Sequence, residues 1–192
     1  MISTGRVEGH APENLLMEIK GLKFAQNKTY CNCLCGAVPE LLFIPIKECT
    51  TESINQMVYL SAVKKLIAAQ GFATAVIKPL IQGQQEMVTI IEATEEFVIL
   101  YEDVMPDKRG FALFGATFQM LLQLLEDAEL VSEEAFEAWI EQREVEADQE
   151  EEDLDDMTIK RIKLFQHSSV QEFVEYMKEE GEEESEEESE ED

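Results

Sequence analysis

Apolar residues recur at helical spacing along the whole chain, and no stretch alternates with the period of two that a strand requires. After Pro12, Leu15, Ile19 and Leu22 recur at i, i+4 and i+7 with Leu16 alongside, which predicts a helix over 12–27. Met17 and Phe24 draw a second, weaker apolar line on its opposite side, and Glu18 projects beside the main stripe. Tyr30, Leu34, Val38 and Leu41 or Leu42 predict a second helix over 29–43, with Pro39 kinking or ending it. Ile54, Val58, Ala62, Leu66 and Ala69 give a third over 51–70, with Gly71 at its C-terminal cap. A short apolar helix over 72–81 follows, then one over 84–102 with Met87, Ile90, Ile91, Thr94, Phe97, Val98 and Tyr101.

Pro106 and Asp107 open the most apolar segment, 111–125, expected as a central buried helix. Ser132 is placed as the N-cap of the next helix, which carries Phe136, Trp139, Ile140 and Arg143 and ends near Glu144. Nine of the thirteen residues over 144–156 are acidic, which favours a loop over a helix extension. Ile159, Ile162 and Phe165 mark a helix over 157–166, and Ser168 with Gln171 reads as a capping box for a last one carrying Val170, Phe173, Val174 and Met177. The pattern predicts an all-α domain over 11–178, a HEAT-like stack of about eight antiparallel helices, between a flexible leader (1–10) and a disordered acidic tail (179–192). No strict sequence repeat is present, so the stacking rests on helix lengths.

Charge divides the chain. Residues 1–125 hold 13 acids against 10 bases, and residues 126–192 hold 29 against 5, so most of the net −27 sits in the last third. Without a basic patch the chain is not expected to bind nucleic acid, and the same charge disfavours anionic membranes. No apolar run approaches membrane-spanning length and Met1–His10 has no signal core, so a soluble, cytoplasmic protein is expected. Cys31, Cys33 and Cys35 lie too close in sequence to bridge one another easily, and with Cys49 they fit a reducing compartment. They also lack zinc-site spacing, although Cys31 and Cys35 share a helical face suited to small buried side chains. The glycines stand singly, His10 and His167 have no nucleophile at an interpretable spacing, and carboxylate pairs chosen from 42 acids carry no information. Enzymatic chemistry, a metal and a cofactor are therefore not expected.

The informative constellation is aromatic and acidic, and it occurs twice. Glu133, Glu134 and Glu137 lie beside the single tryptophan, Trp139; Phe173, Tyr176, Glu179 and Glu180 lead into the tail with Glu182, Glu183 and Glu184. Taken singly, the aromatics read equally well as core residues behind solvated acidic faces. Together with Asn14-Leu15-Leu16-Met17-Glu18-Ile19 and Leu22-Lys23-Phe24-Ala25 at the front, their order resembles the C-terminal HEAT domain, with acidic and aromatic boxes, of the epsilon subunit of translation initiation factor two B. The resemblance covers residues 10–192. Tyr176 stands where that family usually has tryptophan, the acidic 144–156 replaces a more mixed connector, and the family's nucleotidyltransferase-like and β-helix domains are missing, as in a fragment or a reduced form.

The resemblance implies a guanine-nucleotide exchange domain acting on initiation factor two. Its partners would be that factor's lysine-rich beta-subunit segments and GDP-bound gamma subunit, along with other subunits of factor two B. Glu18 would act in GDP release, with Leu16 or Met17 packing alongside. Glu133, Glu134, Glu137, Trp139, Phe173, Tyr176, Glu179, Glu180, Glu182, Glu183 and Glu184 would form the partner-binding set, with Trp139 and Tyr176 as anchors where exposed. Ser185 and Ser189 each precede three acids, a setting acidophilic kinases prefer. A non-catalytic adaptor of the factor five or factor four gamma type, and a general acidic chaperone of basic proteins, are the alternatives.

Overall fold

The computed structural model describes residues 11–48, 55–68, 72–101, 113, 115–150, 152 and 154–190. The leader, Cys49, Gly71, Pro106, Asp107 and the beginnings of the helices expected at 51 and 111 lie outside them. The described residues are all-α, as expected. The helices are α1 (Pro12–Ala25), α2 (Tyr30–Glu48), α3 (Gln56–Ile67), α4 (Phe72–Ile77, continued by a 3₁₀ turn, Lys78–Leu80), α5 (Gln84–Tyr101), α6 (Ala116–Asp127), α7 (Glu133–Ala147), α8 (Asp156–Phe165) and α9 (Ser168–Glu190).

Side-chain contacts give the directions of packing. Cys31 Sγ lies 3.7 Å from Glu86 near the starts of α2 and α5, and the Phe43 and Tyr101 rings lie 4.8 Å apart near their ends, so the two run parallel. Gln84 donates to the Glu134 carbonyl at 2.8 Å and Arg143 meets Glu95, so α7 runs parallel to α5 in turn. In a second layer Gln56 reaches Thr117 at 3.0 Å and Lys64 reaches Asp127 at 3.8 Å, aligning α3 with α6, on which α9 also packs. Layers α2–α5–α7 and α3–α6–α9 result, with α1 and α4 at one end and α8 against α5, α7 and α9. A row of stacked helix hairpins produces such layers.

Several boundaries differ from the sequence reading, each for a physical reason. Helix α2 passes through Pro39 and Pro45 to Glu48. Its face of Leu34, Ala37, Val38, Leu41, Leu42 and Ile44 is buried, and this tertiary contact outweighs the ladder bonds that the prolines remove. The Tyr59 hydroxyl donates to the Leu42 carbonyl at 3.2 Å beside that gap. In α3 the buried residues are Tyr59, Val63, Leu66 and Ile67, and Val58, expected on the stripe, is 40% exposed. The large ring of Tyr59 sets the inward face, and Asn55 caps the helix by accepting from the Val58 N–H at 3.0 Å.

Helix α7 continues to Ala147, past the end expected at Glu144, because Arg143 and Glu146 pair within its last turns. The last helix, expected to stop at Lys178, runs to Glu190, in keeping with the good helix propensity of glutamate. At its start the capping acceptor is His167 Nδ1, 3.3 Å from the Ser169 N–H, and Gln171 donates instead to the Phe165 carbonyl at 2.7 Å. Helix α1 is held lightly. Of its stripe only Leu15 and Ile19 are buried, each contributing about 1.5–3 kcal/mol, while Leu22 is 40% exposed.

Candidate partner-binding surfaces

The two acidic and aromatic segments become neighbours in α7 and α9. The Phe136 and Phe173 rings meet edge to face at 5.2 Å, and Lys178 Nζ bridges to Glu144 Oε1 at 2.6 Å further along both helices. The bridge is half-exposed and contributes little, but it shows that the helices run side by side in the same direction.

Trp139 is not a surface anchor. It is fully buried, edge-on to Phe165 at 5.5 Å and to Phe118 at 6.2 Å, and Phe136, Phe173 and Met177 are buried in the same core. The i, i+3, i+4 spacing that made the segment conspicuous belongs to the core face of α7. Exposed on these helices are Glu134, Glu137, Glu141 and Glu144 of α7 and Glu172, Glu175, Tyr176 and Glu179 of α9, with Glu133 half-buried. Tyr176 is therefore the large aromatic of the set that reaches solvent, and Val145 is exposed as well. The side chains of Glu180, Glu182, Glu183, Glu184, Ser185 and Ser189 lie outside the described residues.

Ser132 sits at the N-cap position of α7 without capping the backbone. Its hydroxyl serves Glu134, whose carboxyl is held below the usual range by that hydrogen bond and then by its own backbone N–H.

Beneath this surface lies an ionic group that the hydrophobic pattern did not single out. Arg143 donates from Nε to Glu95 Oε1 at 3.0 Å and from Nη2 to Glu95 Oε2 at 2.7 Å, and neither side chain is exposed. Nη1 donates to Glu146 at 2.7 Å, and Glu92 lies 3.8 Å away. Burial pushes the Glu95 carboxyl upward, against the pull of Arg143. A signal for Glu95 was present: Ile91, Glu95 and Val98 share the i, i+4, i+7 stripe of α5, and a carboxylate on a core stripe needs a buried cation.

The front motif lies at the other end of the stacking order, on α1, which packs on α2 and α4. Glu18 is exposed, with Met17 (66% exposed) and Phe24 (79%) on the same outward side, whereas Leu16 turns in toward the core. Cys31 and Cys33 are half-buried, and Cys35, expected to be buried, is exposed. Desolvation, opposed by Lys23, raises the Cys33 thiol, and partial desolvation with the nearby Glu96 and Glu92 carboxylates raises that of Cys35, which keeps both protonated and poorly nucleophilic. Among the described residues no group of three or more His, Cys, Asp or Glu side chains could hold a metal, and no helix is long and apolar enough to cross a membrane.

This geometry defines an all-helical domain with two exposed faces at separate ends, one mixed apolar and acidic and one strongly acidic around a tyrosine. No family model matches the sequence. The chain is similar to translation initiation factor eIF2B subunit epsilon of Dictyostelium discoideum, at 28% identity over 165 residues. The aligned region is 85% of this chain and 21% of that protein, so the chain spans about a fifth of its relative's length.

Proposed function

We propose that the chain is a guanine-nucleotide exchange domain of translation initiation, acting in the cytoplasm on initiation factor two. The observation that carries this reading is the similarity to an eIF2B epsilon subunit along most of the chain. The acidic surface of α7 and α9 offers a complement to lysine-rich segments of the beta subunit. Exposed charges raise the encounter rate while each pair contributes little, and attraction falls as salt shortens the screening length to about 8 Å at physiological strength. With Trp139 and Phe173 in the core, the binding set reduces to Glu133, Glu134, Glu137, Tyr176, Glu179 and the tail glutamates Glu180, Glu182, Glu183 and Glu184, with Tyr176 as the aromatic anchor. Phosphorylation of Ser185 and Ser189 would add about −1.5 to −2 charge each and tighten that contact.

Exchange requires more than attachment: the domain must bind the GTPase more tightly once GDP has been released. We assign that step to Glu18 with Met17 on α1, where both are free to meet a gamma subunit, and give Leu16 the task of holding the helix against its neighbours. The test follows release of a fluorescent GDP analogue from GDP-loaded factor two. The wild-type chain accelerates release, and Glu18→Ala removes the acceleration while binding to a lysine-rich beta-subunit peptide persists. Peptide binding without acceleration by the wild-type chain would make it an adaptor, and loss of both properties, or of neither, in the variant would end the division of labour.

A further inference from the structure

A groove of about 350 Å³ runs between the C-terminal half of α1 and the N-terminal half of α2. Its floor is apolar, built from Ile19, Leu22 and Ala37, and one wall is the bare backbone at Gly36. Lys23 and Lys28 stand on its rim, against a single lining carboxylate, that of Glu40. Among the described residues Lys64, Lys78, Arg143 and Lys178 pair with carboxylates, whereas Lys23 and Lys28 do not. The Lys23 ammonium lies instead 4.4 Å from the centre of the Tyr30 ring and 5.0 Å from that of Phe24, which is itself 79% exposed.

Gly36 is the telling residue. It sits inside a helix, where glycine is among the poorest helix formers, and a Cβ built on it would meet nothing within 4 Å. Nothing within the described chain needs the missing side chain. A bare helix wall beside a small neighbour, Ala37, does let a second helix come close, and the exposed apolar groups at this end supply what such a helix would bury.

We propose that the α1–α2 groove docks an acidic amphipathic helix of a partner protein, its apolar side chains seated on Ile19, Leu22 and Ala37 and its flanking carboxylates meeting Lys23 and Lys28. The rim lysines favour carboxylates at the edges of the occupant, and the open wall at Gly36 favours a helix over an extended strand, which would gain hydrogen bonds from a sheet edge and finds none here. The chain's own acidic surface lies on α7 and α9, at the other end of the stack, so the two surfaces select partners of opposite charge. This inference does not depend on the exchange reading, since Glu18 does not line the groove.

The probe is a fluorescein-labelled synthetic helix with leucine and phenylalanine along one face and glutamate on both edges, titrated against the full chain by anisotropy. A version with glutamine in place of glutamate is the control. The acidic peptide should bind at least tenfold more tightly than the control. Lys23→Glu with Lys28→Glu should remove that preference, and Gly36→Leu should block both peptides while the thermal unfolding midpoint stays unchanged or rises. Equal binding of the two peptides, full binding by Gly36→Leu, or no saturable binding would overturn the proposal. So would concentration-dependent self-association that Gly36→Leu abolishes, because the occupant would then be a second copy of the chain.

Discussion

Arg143 of α7 and Glu95 of α5 meet at 2.7 Å with both side chains sealed from solvent, and this pair fixes how the two helices sit against each other. A slide of one helix along the other would leave two charges buried and apart, a far larger penalty than mismatched leucines would impose. The surface of α7 and α9 thus takes its position from a contact beneath it.

Removing one partner should therefore cost more than removing both. Arg143→Met leaves the Glu95 carboxylate buried without its ion-pair partner, with only the Arg161 charge and the Trp139 N–H still favouring it, and should destabilise the fold by about 3–5 kcal/mol. Glu95→Leu combined with Arg143→Met should recover most of that loss. Urea unfolding of the two single variants and the double variant checks this, and additive losses would show that the pair acts as two independent polar groups.

The two aromatics expected to act alike should separate. Trp139→Ala empties a site walled by Phe118 and Phe165 and should cost about 3–5 kcal/mol of stability. Tyr176→Ala, at a residue 45% exposed, should change stability by less than about 1 kcal/mol yet weaken capture of a lysine-rich peptide several-fold. Thermal unfolding and peptide titration of both variants read the difference directly.

That contrast shows how much of the molecule was legible in its sequence. Helical spacing located the helices, and the charge division located the acidic surface, because periodicity and charge are local properties. Exposure is not local. Phe136, Trp139 and Arg143 share one stripe, and only the partners on α5, α6, α8 and α9 determine that the whole stripe is buried. Pro39 misled for the same reason, since its local cost is offset by contacts of α2 with a helix some fifty residues later. Glu95 could have been read as the counter-ion of Arg143 from its place on the Ile91–Val98 stripe, but an unpaired acid on a stripe names no partner until the fold supplies one.

Two glycines should respond in opposite ways to alanine. Gly115 has φ +68°, a conformation that side chains resist, and a Cβ there would lie 2.5 Å from the His167 ring. Gly115→Ala should destabilise by more than about 1 kcal/mol and displace the start of α9. Gly36→Ala, with open space at Cβ inside α2, should stabilise by roughly 0.4–1 kcal/mol. Equal effects in chemical denaturation would mean that neither backbone setting is as described.

Asp155 gives the fold a pH dependence whose sign can be worked out. Its carboxylate accepts from the Met157 and Thr158 N–H groups at 2.9 Å each, capping α8, and the Thr158 N–H foremost holds its pKa below the ordinary value of 3.8. A depressed folded-state pKa means that the unfolded chain binds the proton more tightly. The cap's contribution is therefore complete above the unfolded value and is lost as pH falls through the folded one. Asp155→Asn keeps a capping oxygen and removes the titration, so the stability difference between wild type and variant should shrink as pH drops below about 4. Denaturant unfolding of both proteins between pH 7 and pH 3 measures it, and a constant difference across that range would show that the Asp155 charge takes no part in holding α8.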